Sequence, residues 1–257
     1  MKSRLLASCF IVALGFVLMA CTAYADIDPA TIVGAWLFDE GRGDLAEDAS
    51  KGGHNGKLEK NPTWVDGRFG EALEFNGGNY VELEDAAPDL HFGGVEPFTV
   101  SAWVNPNPGG TVIGKFNGGV IGAYILVVQG SVTFHREVAP WGLNSTKNVP
   151  QGDFSHVAAT YDGEEMRIYI DGDPAGEQPR GAQNTDAVTP VLIGARFTGG
   201  APSNFFTGVI DEVILFNVAL SEADVQTVMR GAAPFLGLAV NPKGKLTTAW
   251  AAVKREH

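Results

Sequence analysis

The chain has 257 residues, of which 18 are basic and 30 acidic, giving a net charge of −12. A surface of that sign repels phosphate backbones and anionic lipid, so nucleic acid is excluded as a partner. Its two cysteines, Cys9 and Cys21, both stand in the N-terminal apolar stretch, and disulfides therefore do not hold the rest of the chain together.

Lys2 and Arg4 precede an apolar run from Leu5 to Leu18 that only Ser8 and Gly15 interrupt. A membrane span needs roughly 20 apolar residues. The run is shorter, and residues 1–25 read as a secretory signal peptide. Cleavage after Ala25, in Ala23-Tyr24-Ala25, is favoured; the alternative is Leu18-Met19-Ala20-Cys21, a lipobox-like sequence that would lipidate Cys21. Both place the product outside the cell, secreted or attached to the envelope.

Residues 26–235 read as one all-β domain, because 33 glycines and 14 prolines punctuate the chain instead of clustering as linkers. Strands are predicted at Ile32–Phe38, Ala72–Phe75, Tyr80–Leu83, Phe98–Val104, Thr111–Lys115, Tyr124–Gln129, Ser131–His135, His156–Tyr161, Met166–Ile170, Val191–Ala195 and Gly208–Phe216. In Met166–Ile170, Met166, Ile168 and Ile170 point to one face and Arg167 and Tyr169 to the other, the alternation of a strand with one buried and one wet side. Asp162-Gly163 and Asp171-Gly172 bracket that strand as turns, since glycine accepts positive φ and aspartate caps its own turn. Ser221 caps a short helix with an acidic first turn that ends by Gly231. Residues 236–257 form a C-terminal tail of different character, broken by Asn241-Pro242-Lys243-Gly244-Lys245, whose role the sequence leaves open.

Four segments in order, RFGEALEFNGGNYVEL, FTVSAWVNP, FSHVAATYDGEEMRIYIDG and GVIDEVILFNVALSEADVQTVM, resemble the laminin G-like, concanavalin A-like jelly roll of bacterial secreted proteins. The resemblance covers about residues 32–233. It implies two curved antiparallel sheets packed face to face, with the chain ends paired near each other.

Enzymes share this jelly roll, so catalysis has to be tested from residues and not from fold. Retaining glycosidases of this architecture carry Glu-x-Asp-x-x-Glu on one strand, with two carboxylates about 5 Å apart on one face. The nearest approach here, Val209–Val213, has only the adjacent Asp211 and Glu212, which alternation sends to opposite faces. The five histidines form no His-x-x-x-His pair, and Gly-x-Ser-x-Gly is absent. The chain therefore reads as non-catalytic.

Two binding sites are expected. Calcium takes six to eight oxygen ligands, and the stretch Asp48–Gly56 resembles the family's Asp-containing loop. The resemblance makes Asp48 a calcium ligand, with Asp211 from the last strand and Asn76, where relatives have Asp, alongside it; Lys51 stands where relatives have glycine. The second site is the segment Phe134–Gly142, in which His135, Arg136, Glu137 and Trp141 combine an aromatic face with hydrogen-bonding groups, the mixture that grips a sugar ring. The function expected is an extracellular module that binds glycans or mediates adhesion. Its alternatives are a glycoside hydrolase or lyase with dispersed carboxylates, and a structural module that binds an extracellular protein.

Overall fold

The computed structural model describes residues 27–83, 88–117, 124–137, 139–183 and 189–238. The predicted signal peptide and most of the predicted tail lie outside the described residues. Among the described residues eighteen strands follow one another, beginning with β1 (Ile32–Trp36), β2 (Leu45–Ala46), β3 (Gly56–Glu59), β4 (Thr63–Asp66), β5 (Glu71–Asn76) and β6 (Tyr80–Leu83). The middle of the chain supplies β7 (Phe98–Pro106), β8 (Gly110–Lys115), β9 (Tyr124–Gln129), β10 (Ser131–Arg136), β11 (Gly142–Asn148) and β12 (Ser155–Tyr161). The last are β13 (Glu165–Ile170), β14 (Asp173–Pro179), β15 (Val191–Ile193), β16 (Arg196–Thr198), β17 (Ala201–Ser203) and β18 (Thr207–Phe216), followed by helix α1 (Glu222–Val228).

The first sheet runs β14-β13-β12-β7-β18-β5-β4, with β1 also paired to β18; the second runs β11-β10-β9-β8-β15-β6-β3-β2. Together they form an antiparallel jelly-roll sandwich. Between the sheets lies a single large apolar cluster that includes Trp36, Phe75, Phe98, Phe134, Ile168 and Leu215. Every predicted strand is present. Those that sequence reasoning missed include the strands at the ends of both sheet orders, β14, β4, β11 and β2.

The turns follow the predicted chemistry. Asp162 Oδ1 accepts hydrogen bonds from the backbone N–H of Glu164 and Glu165, which closes the β12–β13 hairpin. Asp171 and Gly172 both take positive φ, 51° and 82°, between β13 and β14, the conformation that an Asp-Gly pair adopts at least cost.

The outer face of the first sheet is drier than alternation predicts. Tyr169 is buried, because α1 and the chain that follows it pack over this face, gathering Ala158, Tyr169, Ile214, Phe216, Val225 and Val228 into a second cluster. The helix starts where Ser221 accepts from the N–H of Asp224 and the Asp224 carboxylate accepts from the N–H of Ser221, a reciprocal cap. As expected, the first and last strands are neighbours: Ala35 pairs with Ile214 and Trp36 with Val213.

Candidate functional site

The β10–β11 hairpin carries the predicted sugar-binding segment, and strand alternation splits that segment in two. Phe134 and Arg136 face the interior, while His135 faces out. Arg136 is thus a correction to the sequence reading. It is 1% exposed, its Nε donates to Gln183 Oε1 at 2.7 Å and its Nη2 to the Phe92 carbonyl at 2.8 Å. The guanidinium lies 4.3 Å from the centroid of the Tyr161 ring and 5.1 Å from that of Phe98. Burial draws its pKa down to about 10, and Nη1 is buried with no partner. Arg136 organises one end of the core and is out of reach of a surface ligand.

The other three residues remain on the surface. His135 Nε2 and Glu137 Oε2 are 2.9 Å apart, and the His135 ring meets Phe116 edge-on with centroids 5.4 Å apart. Gly142 stands opposite His135 in register. Beside it, Trp141 is 54% exposed, one of three large hydrophobic residues on the described surface. A side chain at Gly142 would stand against His135 and Thr133, so glycine keeps this strip low. Sequence reasoning missed Arg196, whose guanidinium sits 5.3 Å from the Phe116 centroid. No local signal could have found it, because β16 reaches this place only through the fold.

The three predicted calcium ligands are not gathered. Asn76 pairs with Thr207 at one end of β18, and Asp211 lies four residues further along, about 13 Å at the usual strand rise. Asp48 bridges to Trp36. Its Oδ1 accepts from the N–H of Ala35 and Ser50, and its Oδ2 from that of His54, each at 2.9 Å. Asn76 Oδ1 accepts from the Gly78 N–H. The backbone N–H groups that donate to these oxygens point the positive ends of their dipoles at the place a cation would take, and the three residues stand apart, so they do not fit a shared calcium chelate. Among the described residues, no group of three or more His, Cys, Asp and Glu is arranged to hold a metal ion.

Asp211 instead latches a turn. Its Oδ2 accepts from the Phe69 N–H at 3.0 Å, and the turn is closed by Gly67 N–H donating to the Gly70 carbonyl. Gly67 is required there, since a Cβ would come within 2.6 Å of Asp211 Oδ2. Glu212 does not simply point to the opposite face. A bulge follows Asp211, with Glu212 at φ 47°, and the Glu212 carboxylate accepts from the Ala232 N–H in the segment covering the outer face. Burial raises the pKa of both acids, that of Glu212 to about 7, and the Glu212 charge pushes Asp211 further in the same direction. Asp211 is 0% and Glu212 3% exposed. Neither carboxylate can touch a substrate. Ser101 Oγ and His156 Nε2 are 2.8 Å apart but equally buried, and desolvation draws the His156 pKa down to about 3.

A two-sheet antiparallel sandwich whose first and last strands pair defines the class as a concanavalin A-like jelly roll. The chain belongs to the concanavalin A-like lectin/glucanases superfamily, whose family model matches residues 75–226. No curated protein sequence matches it significantly. Among solved structures, it is similar to domain 4 of a GH43 extracellular arabinanase from Geobacillus stearothermophilus in complex with arabinotriose: TM-score 0.61 and 19% identity, over 77% of this chain and 98% of that one. It also resembles the binding domain of Paraclostridial Mosquitocidal Protein 1, with TM-score 0.59 and 16% identity over 78% of this chain and 52% of that one. A third likeness is to Trypanosoma rangeli sialidase in complex with sialic acid, with TM-score 0.56 and 21% identity, covering 78% of this chain but 33% of the sialidase. At these identities the likeness is one of fold.

Proposed function

We propose that this chain is an exported, non-catalytic glycan-binding module whose ligand lies across His135, Glu137 and Trp141. The observation that carries the reading is Trp141, a large aromatic ring left 54% exposed on the hairpin that also carries the His135–Glu137 pair. The apolar face of a sugar stacks on such a ring, and its hydroxyls bond to flanking polar groups. Support comes from the superfamily and from the arabinanase domain, whose structure contains arabinotriose. The absence of catalysis is supported by the burial of Asp211 and Glu212, the pair nearest to a glycosidase arrangement.

Titration of the full chain with a glycan panel, followed by tryptophan fluorescence and calorimetry, tests this reading. Saturable binding that Trp141→Ala abolishes supports it. Release of reducing ends from a bound glycan overturns the non-catalytic part. Mass spectrometry of the mature N-terminus tests export, by finding Asp26 or a lipidated Cys21 at the start.

A further inference from the structure

The outer face of the second sheet presents a cation that the protein does not neutralise. Acidic residues outnumber basic ones 30 to 18, and several surface cations pair accordingly, Lys57 with Glu59, Lys147 with Asp173, and Arg167 with Asp162 and Glu165, while Arg68 and Lys60 lie over aromatic rings. Arg196 forms no ion pair among the described residues, and its Nε is buried without a hydrogen-bond partner. Its guanidinium is laid on Phe116 at 5.3 Å, and Phe116 in turn touches His135 at 5.4 Å. The register extends the strip: Gly142 opposes His135, His135 opposes Ile125, and Ile125 opposes Gly114, above which the Arg196 side chain rises. His135, Ile125 and Gly114 with Arg196 above it therefore mark one path across β10, β9 and β8, about 10 Å long at the usual strand spacing, and Trp141 precedes Gly142 at its β11 end.

A guanidinium presents N–H groups in a planar fork that gives two parallel bonds to an oxyanion, and the ring beneath Arg196 restricts where that fork can lie. We propose that the glycan read by this face is acidic, with a carboxylate or sulfate group on one sugar bound by Arg196 while a neighbouring sugar stacks on Trp141. The proposal rests on the glycan-binding reading above and adds the class of sugar. Repulsion by the net negative charge is screened beyond about 10 Å at 0.1 M salt, so the contact at Arg196 decides the preference. Glu137 Oε2 is engaged by His135 Nε2 at 2.9 Å, and a neutral imidazole leaves its negative charge in place, which favours the Arg196 end of the strip for the acidic group. Lys60 supplies the contrast: it also lies over aromatic rings, Tyr80 and Phe205, but Glu82 and Glu59 both act on that Tyr80 phenol, so an anion is not drawn there.

The test is calorimetric titration of the full chain, in calcium-free buffer at 0.1 M salt, with polygalacturonate, dextran sulfate and neutral arabinan. Arg196→Gln keeps the stem over Phe116 and removes the charge; Lys60→Gln removes the same charge elsewhere. Circular dichroism confirms that both variants fold. The expected result is about tenfold or greater preference for an acidic polymer, lost in Arg196→Gln and kept in Lys60→Gln, as for a hydrogen-bonded charge. Tighter binding of polygalacturonate identifies the carboxylate, and tighter binding of dextran sulfate the sulfate. Equal weakening by both variants would show a generic charge effect and overturn the proposal. Binding of arabinan that depends on Trp141 but not on Arg196 overturns it too, while leaving the glycan-binding reading intact. Failure to bind any glycan, in this set or a wider panel, sinks both.

Discussion

Trp103 and Asp211 stand directly opposite each other on neighbouring strands, and each buries one polar atom that has no partner, Nε1 of the indole and Oδ1 of the carboxylate. His156 opposes Trp103 from the other side with its Nδ1 in the same condition. Three such atoms in one cross-strand row, beneath the turn that carries Arg68 and Phe69, call for internal water, which supplies about three hydrogen bonds at sites of this kind. A crystal structure is expected to show ordered water within hydrogen-bond reach of this row. Asp211→Ala should cost about 2–4 kcal/mol in denaturant unfolding, since it strands the Phe69 N–H as well. Asp211→Asn keeps an acceptor for that N–H and should cost about 1 kcal/mol.

Stability should fall on both sides of a plateau in pH. The Glu212 pKa rises from 4.5 to about 7 on folding, by burial first, with the charge of Asp39 adding to the shift and the Ala232 N–H opposing it. The unfolded chain therefore ionises first, and stability drops as pH climbs from about 4.5 through 7, by roughly 3 kcal/mol. Asp211 shifts in the same direction and adds to this loss. His156 works oppositely: its value falls from 6.5 to about 3 by burial, so stability is lost as pH drops from about 6.5 toward 3. The two slopes offset each other between about 4.5 and 6.5. Urea unfolding across pH 3–9 checks this, with Glu212→Gln expected to flatten the alkaline side and His156→Gln the acid side.

Arg136 and Trp141, five residues apart, should respond in opposite ways. Arg136→Ala removes two hydrogen bonds and a cation lying over Tyr161 and Phe98, and should destabilise by about 3 kcal/mol. Trp141→Ala should change stability by no more than about 0.5 kcal/mol while removing glycan affinity. Denaturant unfolding and titration of both variants separate the core role from the surface role; comparable losses of stability would contradict the assignment.

Melting curves with calcium and with a chelator are expected to superimpose, because both Asp48 carboxylate oxygens, Asn76 Oδ1 and Asp211 Oδ2 serve backbone amides and Asn76 and Asp211 lie about 13 Å apart along the sheet. An ion present at 100 times its Kd would stabilise the fold by about 2.7 kcal/mol. That corresponds to a rise of several degrees in Tm, and such a rise would return calcium to the Asp48 loop.

The central strands, the Asp-Gly turns and the capped helix were legible in the sequence because each is written in neighbouring residues. Met166, Ile168 and Ile170 alternate, Asp162 caps its own turn, and Ser221 and Asp224 are three residues apart. The edge strands were not legible: β11, β14 and β4 are largely polar and exposed, as edges must be to resist pairing with other chains, and so lack the alternation that reveals a strand. The burial of Arg136 was hidden, since the sequence proposed it for the surface together with Trp141, which is exposed. Strand phase in β10, set by the partner strands on each side, sent Arg136 into the core. What the sequence by itself determined is the all-β class and its local punctuation, which depend on periodicity and turn chemistry. Only the tertiary structure decided which side of a strand met water, that a bulge at Glu212 would bury two adjacent acids, and that Arg196 would come to rest over Phe116, because those outcomes depend on residues far apart in the chain packing against one another.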